Sequence, residues 1–396
     1  MKIEKSEACP TPYFVVEEAG LRHNLEILKE IMDRTGCKIL LAQKCFSLYK
    51  TYPLIGEYLS GATASGLYEA RLAHEYMQKE NHVFSAAYRS DEMDELFQIC
   101  DHIVFNSITQ WIRYQKKAIL CGKQCGLRIN PCCSTQEGHA IYDPCAPYSR
   151  MGITREAWQQ YTGGNPKKEA EFLEGIRGLH FHTLCEQDAD ALEETLQSVE
   201  KQFGSILHRM EWLNFGGGHH ITREDYDRER LIRCIKHMQE TYGLTIYLEP
   251  GEAVALNAGH LVATVLDVMH NGADIAILDT SAACHMPDVL EMPYTPQILE
   301  GEILEEGIEA ASGFREEFCY RLAGPTCLAG DKIGDYRFAK PLQVGDRITF
   351  CDMAIYSMVK TNTFNGMKLP AICYQHLDGQ EEIVREFGYE DFKSRL

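Results

Sequence analysis

The chain has 396 residues, 45% of them hydrophobic and 24% charged, enough for two domains with a sizeable core in a soluble globular protein. Its formal charge of −19 disfavours nucleic acid as a partner and suits a cationic small molecule, although an acidic surface also serves solubility. No apolar run is long enough to span a bilayer, the N-terminal Met1-Lys-Ile-Glu-Lys-Ser-Glu7 carries no signal-peptide pattern, and sixteen cysteines without a secretory leader point to a reducing cytoplasm.

In chain order, residues 18–34 carry a helical pattern that stops at Gly36. Eight short runs then read as strands: residues 38–44, 62–65, 82–87, 102–106, 125–130, 176–183, 210–215 and 245–249. Most are continuous apolar runs rather than alternating ones, as expected of parallel strands covered on both faces. Helical patterns lie between them, among others at residues 67–78, 189–203 and 225–242. Residues 131–175, with Cys132, Cys133, Gly138, Asp143, Pro144 and Pro147, form the longest stretch without a pattern. A long loop on the C-terminal face of a barrel is more often functional than idle. The pairs Cys121/Cys125 and Cys132/Cys133 do not make a zinc pattern, and no metal is expected.

After residue 258 the rhythm changes. Residues 260–269, Asn271-Gly272 and 273–279 read as a hairpin with a primed turn. Further strands are expected at 318–322, 347–352, 371–375 and 382–385, joined by one from residues 12–16. The expected fold class is α/β: a TIM (β/α)8 barrel over residues 17–258, with a second, C-terminal β-barrel domain built from residues 1–16 plus 259–396. A doubly wound open sheet fits less well, because no early Gly-x-Gly-x-x-Gly follows the first strand.

In such a barrel, chemistry collects at the C-terminal ends of the strands. Lys44 ends the first run, His182 the sixth, Gly216-Gly217-Gly218 follow the seventh, and Glu249 ends the eighth. A lysine amine can form an imine with an aldehyde. Consecutive glycines leave backbone N–H groups open to a phosphate. A carboxylate against a pyridine nitrogen keeps it protonated, and an imidazole can stack on the ring. Each residue alone has a bland reading: a surface lysine, a satisfied core histidine, a turn, a paired carboxylate. Their joint placement points to pyridoxal phosphate.

With that set, the chain resembles the alanine-racemase-fold (fold type III) decarboxylases that use pyridoxal phosphate. The motifs are Lys44, Phe181-His182, Gly216-Gly217-Gly218, Glu249-Pro250-Gly251, Gly324-Pro325-Thr326-Cys327 and Tyr356, which span nearly the whole chain. The resemblance implies that Lys44, His182, Gly217, Gly218, Glu249 and Tyr356 hold the cofactor. It implies a homodimer with shared active sites, in which Cys327 completes the other subunit's site and protonates the α-carbon after carboxylate loss. Otherwise Cys327 reads as a buried small apolar residue.

Longer stretches sharpen the likeness to the branch that acts on carboxylated polyamines, carboxynorspermidine and carboxyspermidine. They are Lys44-Cys-Phe-Ser47, residues 279–294, Gly324-Pro-Thr-Cys-Leu-Ala-Gly-Asp331 and residues 356–366, which include Asn365. Ornithine decarboxylase has Glu-Pro-Gly-Arg where this chain has Glu252, and an aspartate after the cysteine where this chain has Leu328. Its Gly-Ser-Gly after the stacking histidine is replaced by Leu184-Cys185-Glu186. Reading of the substrate's ammonium groups then falls to Glu252 and Asp288. The bland alternatives are a lysine or arginine partner for Glu252 and a helix cap for Asp288. The implied product is norspermidine or spermidine, with a polyamine substrate, no nucleic acid and no membrane partner. Alternatives are a diaminopimelate or ornithine decarboxylase, a racemase, or a pyridoxal-phosphate binder without turnover.

Overall fold

The computed structural model describes residues 9–136, 143–305, 307 and 318–396. Gly138 and the N-terminal heptapeptide read above lie outside the described residues. One compact unit is Asn24–Val254 and the other is Met1–His23 with Ala255–Leu396.

The first unit is built on eight parallel strands: β1 Lys38–Ala42, β2 Gly61–Ala64, β3 Glu80–Ser85, β4 His102–Phe105, β5 Gln124–Asn130, β6 Ile176–His180, β7 Trp212–Asn214 and β8 Thr245–Leu248. Each pairs with the next and β8 pairs back to β1, which closes the barrel. The apolar runs make these strands because both faces are covered, inside by side chains and outside by helices. The helix Glu18–Thr35 stops at Gly36, whose φ of 72° only glycine adopts freely and whose N–H donates to Met32 O at 2.7 Å. Residues 143–175 are more ordered than their sequence suggests. They hold the helices Arg155–Thr162 and Pro166–Leu173, capped by the side chains of Thr154 and Asn165.

Leu40, Val104, Trp212 and Tyr247, with Phe84, fill the middle of the barrel. The Trp212 indole explains two glycines inside strands. A Cβ on Gly178 would lie 2.0 Å from that ring, and one on Gly126 would lie 2.3 Å from it. Gly178→Ala is therefore expected to cost about 1–3 kcal/mol of stability by overpacking. Denaturant unfolding measures it, and an unchanged midpoint would mean that the indole does not need the space.

The N-terminal end of the barrel is closed by a polar plug. Glu80 forms an ion pair with Lys38 and accepts from Tyr247 Oη at 3.1 Å. Burial pushes the Glu80 carboxyl up, but hydrogen bonds from His82 and Lys38 outweigh it and leave the pKa near about 2. His82 and His102 stack at 3.9 Å with planes 9° apart. Glu80, His82 and His102 have metal-ligand spacing. However, Lys38 already supplies the cation, and parallel rings do not converge their lone pairs on one point.

Among the described residues, the second unit is a mixed nine-stranded sheet. Its path runs Gly301–Ile303, Lys332–Phe338, Phe318–Ala323, Asp274–Leu278, Gly259–His270, Tyr13–Glu17, Ala371–Gln375, Glu381–Arg385, with Arg347–Phe350 paired to Gly259–His270. Phe14, Leu261, Leu322, Tyr336, Ile348 and Phe350 are among its core residues. The N-terminal strand pairs antiparallel with Gly259–His270 and parallel with Ala371–Gln375. The hairpin differs from expectation in its turn. His270 pairs with Asp274, so three residues form the loop, and only Gly272 among them has positive φ, 73°. A primed two-residue turn would instead need a left-handed residue at its first position. Two strands, Gly301–Ile303 and Lys332–Phe338, were not expected; the charges and glycine of Lys332-Ile-Gly-Asp-Tyr-Arg-Phe338 break the apolar pattern.

Candidate active site

The last residues of β6 and β7, and the first after β8, form one buried network. Glu249 accepts from Asn214 Nδ2 at 2.8 Å and lies 3.3 Å from His180 Nε2. Burial alone would raise the Glu249 pKa, but the hydrogen bonds from His180 and Asn214 outweigh it and depress it to about 2. Burial holds the His180 imidazole below its usual range, so the ring is neutral and donates Nε2–H to the carboxylate. Its buried Nδ1 has no hydrogen-bond partner among the described residues, which fits that tautomer. His180 also stacks on Phe84, at 5.4 Å between centroids.

Arg128, inside β5, places its guanidinium 4.6 Å over Phe84 and donates to His182 O at 3.0 Å. Burial lowers its pKa to about 10, which leaves it cationic at neutral pH. His182 accepts the Gly217 N–H at Nδ1, at 2.6 Å. Burial first, then the charges of Lys44 and Arg128, hold His182 well below its ordinary pKa. It is therefore a neutral ring with its proton on Nε2.

Lys44 stands exposed two residues past the end of β1. The turn that presents it is fixed on both sides: Cys45 N–H donates to Ala42 O at 3.1 Å, and Tyr52 Oη donates to Gln43 Oε1 at 2.9 Å. Its charge reaches His180, His182 and the half-buried Glu69 carboxyl. Lys44, His182, Glu249 and the glycine loop thus share the C-terminal end of the barrel.

The glycine loop is used differently from the sequence reading. A Cβ would lie 2.4 Å from Phe181 O at Gly216, 2.6 Å from Glu249 O at Gly217 and 2.0 Å from Leu184 O at Gly218. Glycine is required at all three by close backbone approach within the barrel. Two of the three amides are already engaged, Gly216 N–H with Asn214 Oδ1 at 2.9 Å and Gly217 N–H with His182. That leaves the Gly218 end of the loop for an anion.

Glu252 is nearly buried and bonds His220 Nε2 at 2.7 Å, so its partner is a histidine rather than a lysine or arginine. Burial lowers the His220 pKa, but Glu252, with Glu186 beyond it, outweighs that and raises it. Asp288 begins the short helix Asp288–Glu291 in the sheet unit, and its carboxylate forms an ion pair with Lys360. It is not the cap, since Pro287 occupies that position. Tyr356, also in that unit, has a φ of 50°, a strained value for a tyrosine. Cys327 is exposed rather than buried.

Sequence reasoning missed Arg128, His180, Asn214 and His220. A lone arginine inside the buried run Cys125-Gly-Leu-Arg-Ile-Asn130 was the available signal for Arg128. The period of two in Gly178-Leu-His-Phe-His182 was the one for His180. Pyridoxal phosphate fits this donor set. Glu249 is an ionised buried carboxylate, suited to the ring nitrogen. Lys44 is an accessible amine, and His182 a neutral ring.

Comparison with known proteins decides the family. Residues 14–354 match the family described as pyridoxal-dependent decarboxylase, C-terminal sheet domain. The chain belongs to the pyridoxal-dependent decarboxylases. The family fixes the cofactor as pyridoxal phosphate and the enzyme as a carboxy-lyase. The chain is 44% identical over 391 residues to carboxynorspermidine/carboxyspermidine decarboxylase of Campylobacter jejuni, covering 98% of this chain and 99% of the relative. It is 41% identical over 389 residues to carboxyaminopropylagmatine decarboxylase of Synechocystis, covering 98% and 95%. Among solved structures, carboxynorspermidine decarboxylase of C. jejuni complexed with norspermidine matches at TM-score 0.86 and 42% identity, over 98% of this chain and 100% of that one. Diaminopimelate decarboxylase of Helicobacter pylori, at TM-score 0.81 and 17% identity, shares the two-domain fold.

Proposed function

We propose that this decarboxylase converts carboxynorspermidine or carboxyspermidine into norspermidine or spermidine in polyamine biosynthesis. The observation that carries the substrate is the likeness over 98% of the chain to the C. jejuni enzyme of that activity. When bound, the cofactor supplies an aldehyde that captures an amine and a protonated ring that accepts the electron pair left by carbon dioxide. Glu249 keeps the proton on the ring nitrogen, and Asn214 and His180 keep Glu249 ionised and aimed. Lys44 provides the amine that anchors the cofactor. His182 presents a neutral face, fixed by the Gly217 amide. Arg128 steadies that segment through the His182 carbonyl.

Glu252 and Asp288 are the proposed readers of the substrate's distal ammonium groups. Glu252 already bonds His220 and Asp288 already pairs with Lys360, and an incoming ammonium exchanges with each. Tyr356 and the Gly218 end of the loop are proposed cofactor contacts. Cys327 Sγ is the proposed donor of the proton that reaches the α-carbon. The enzyme is proposed to act in the cytoplasm as a homodimer with shared sites.

Incubation with carboxynorspermidine, carboxyspermidine, carboxyaminopropylagmatine, diaminopimelate and ornithine, with products identified by mass, tests the substrate. The two carboxylated polyamines are expected to lose carbon dioxide fastest. They differ by one methylene, worth about 1–3 kcal/mol, so a modest preference between them is consistent. Carboxyaminopropylagmatine is the second reading, supported by the 41% relative; its turnover above both polyamine acids would replace the first. Mixing Lys44→Ala with Cys327→Ala tests the shared site. Random exchange of subunits should restore up to about a quarter of wild-type activity, since half the dimers are mixed and each has one intact site. No recovery after proven exchange would refute the sharing.

A further inference from the structure

Cys327 sits near the tip of the loop between Phe318–Ala323 and Lys332–Phe338, and residues 327–330 are all exposed. A proton donor on such a tip needs a grip, because transfer requires its atom within hydrogen-bond reach of the acceptor. The loop is held from two sides.

The first hold is Asp331, which is nearly buried. Its Oδ2 accepts from Thr326 Oγ1 at 2.7 Å and from Ser281 Oγ at 2.8 Å, and its Oδ1 accepts from Ala283 N–H at 3.3 Å. Its backbone carbonyl accepts the Gly324 N–H at 2.9 Å. This hold ends at Thr326, one residue short of the cysteine.

The second hold begins there. Cys327 N–H donates to Asn365 Oδ1 at 2.7 Å, across 38 residues of sequence. Asn365 has φ 62° and ψ 14°, a left-handed conformation that asparagine tolerates better than most residues. The turn that carries it is itself anchored. Asn362 Nδ2 donates to Ala283 O at 2.8 Å, Asn362 N–H donates to Cys284 O at 2.9 Å, and Asn362 Oδ1 accepts from Phe364 N–H at 2.9 Å. Arg395, from the C-terminal end of the chain, bonds Thr363 Oγ1. Both holds therefore root in the segment around the short helix Ala282–His285.

We infer that Asn365 is the positioning residue for Cys327: its side-chain oxygen fixes the Cys327 amide and so the place from which the thiol acts. This rests on the reading of Cys327 as the proton donor. Neither the strained backbone nor the anchored turn has another evident use for the Asn365 oxygen, which reaches no other donor among the described residues.

Two substitutions separate the backbone from the side chain. Asn365→Gly keeps the left-handed conformation and removes the acceptor; Asn365→Asp keeps both. In the holoenzyme, Asn365→Gly is expected to lower kcat about tenfold with KM within about twofold, while Asn365→Asp retains most of kcat. Iodoacetamide labelling read at Cys327 by peptide mass gives a second readout independent of turnover. Labelling should be about threefold faster or more in Asn365→Gly, because a released tip leaves the shelter of the partner subunit's site more often. In a Cys327→Ala background, Asn365→Gly should lower kcat no further, since its effect passes through the cysteine. Wild-type kcat and wild-type labelling in Asn365→Gly would overturn the inference, as would losses that add to those of Cys327→Ala. Full activity in Cys327→Ala alone would sink the proton-donor reading instead, and the labelling rate would still decide whether Asn365 holds the cysteine.

Discussion

Replacing Glu249 by glutamine is expected to lower kcat by about 10²–10³-fold, the usual loss when one preorganised electrostatic partner of the reacting system is removed. The carboxylate's charge holds the proton on the cofactor ring, and a neutral amide cannot. Glutamine also cannot repeat the bonding pattern. Its single oxygen can face Asn214 Nδ2 or His180 Nε2–H, but one donor is left opposite an amide nitrogen, at about 1–3 kcal/mol for a buried unsatisfied group. The variant should therefore melt earlier as well as turn over slowly. The pH dependence has a definite sign. The Glu249 pKa is depressed to about 2 in the fold, against about 4.3 for an unperturbed glutamate. Its contribution to stability is thus fully present above the unfolded value and is lost as pH falls through the folded one. Loss of activity between pH 5 and 6 would then belong to another group and should persist in Glu249→Gln. Steady-state kinetics with thermal melts across pH checks this, and a wild-type kcat in Glu249→Gln would remove the carboxylate from the chemistry.

Lys44→Ala should lose turnover by about 10³-fold or more, the scale seen when a covalent participant is deleted. The stability cost should be small, because the side chain is exposed and the turn that carries it is fixed by Cys45 N–H and by Gln43. The purified variant should also lack the visible absorption of tethered cofactor. A Lys44→Ala protein that keeps both the spectrum and the rate would place the anchoring amine elsewhere.

The barrel was legible because its strands are buried on both faces and so read as unbroken apolar runs. The same logic located Lys44, His182 and Glu249, which end such runs. Arg128, His180 and Asn214 lie inside runs, and a polar residue there looks like a flaw in the pattern until the closed barrel shows that it points into the mouth. The three glycines were found for a reason that the structure changes. They accommodate Phe181, Leu184 and Glu249, and two of their amides serve Asn214 and His182. Close approach between loops of different strands has no local signature. For the same reason the partner of Glu252 was hidden: His220 and Glu252 are 32 residues apart and meet only through neighbouring strands. In the sheet unit, Lys332–Phe338 escaped because its charged residues are paired there, Arg321 with Asp335 at 2.8 Å, and Lys332 with the same carboxylate at 3.0 Å. Such pairing allows a strand that composition alone argues against.

The most direct measurement is borohydride reduction of the enzyme loaded with pyridoxal phosphate, followed by proteolysis and mass mapping. The expected result is a single stable phosphopyridoxyl adduct on Lys44. An adduct on a different lysine, or none from protein that decarboxylates its substrate, would contradict the assignment of this amine at the barrel mouth.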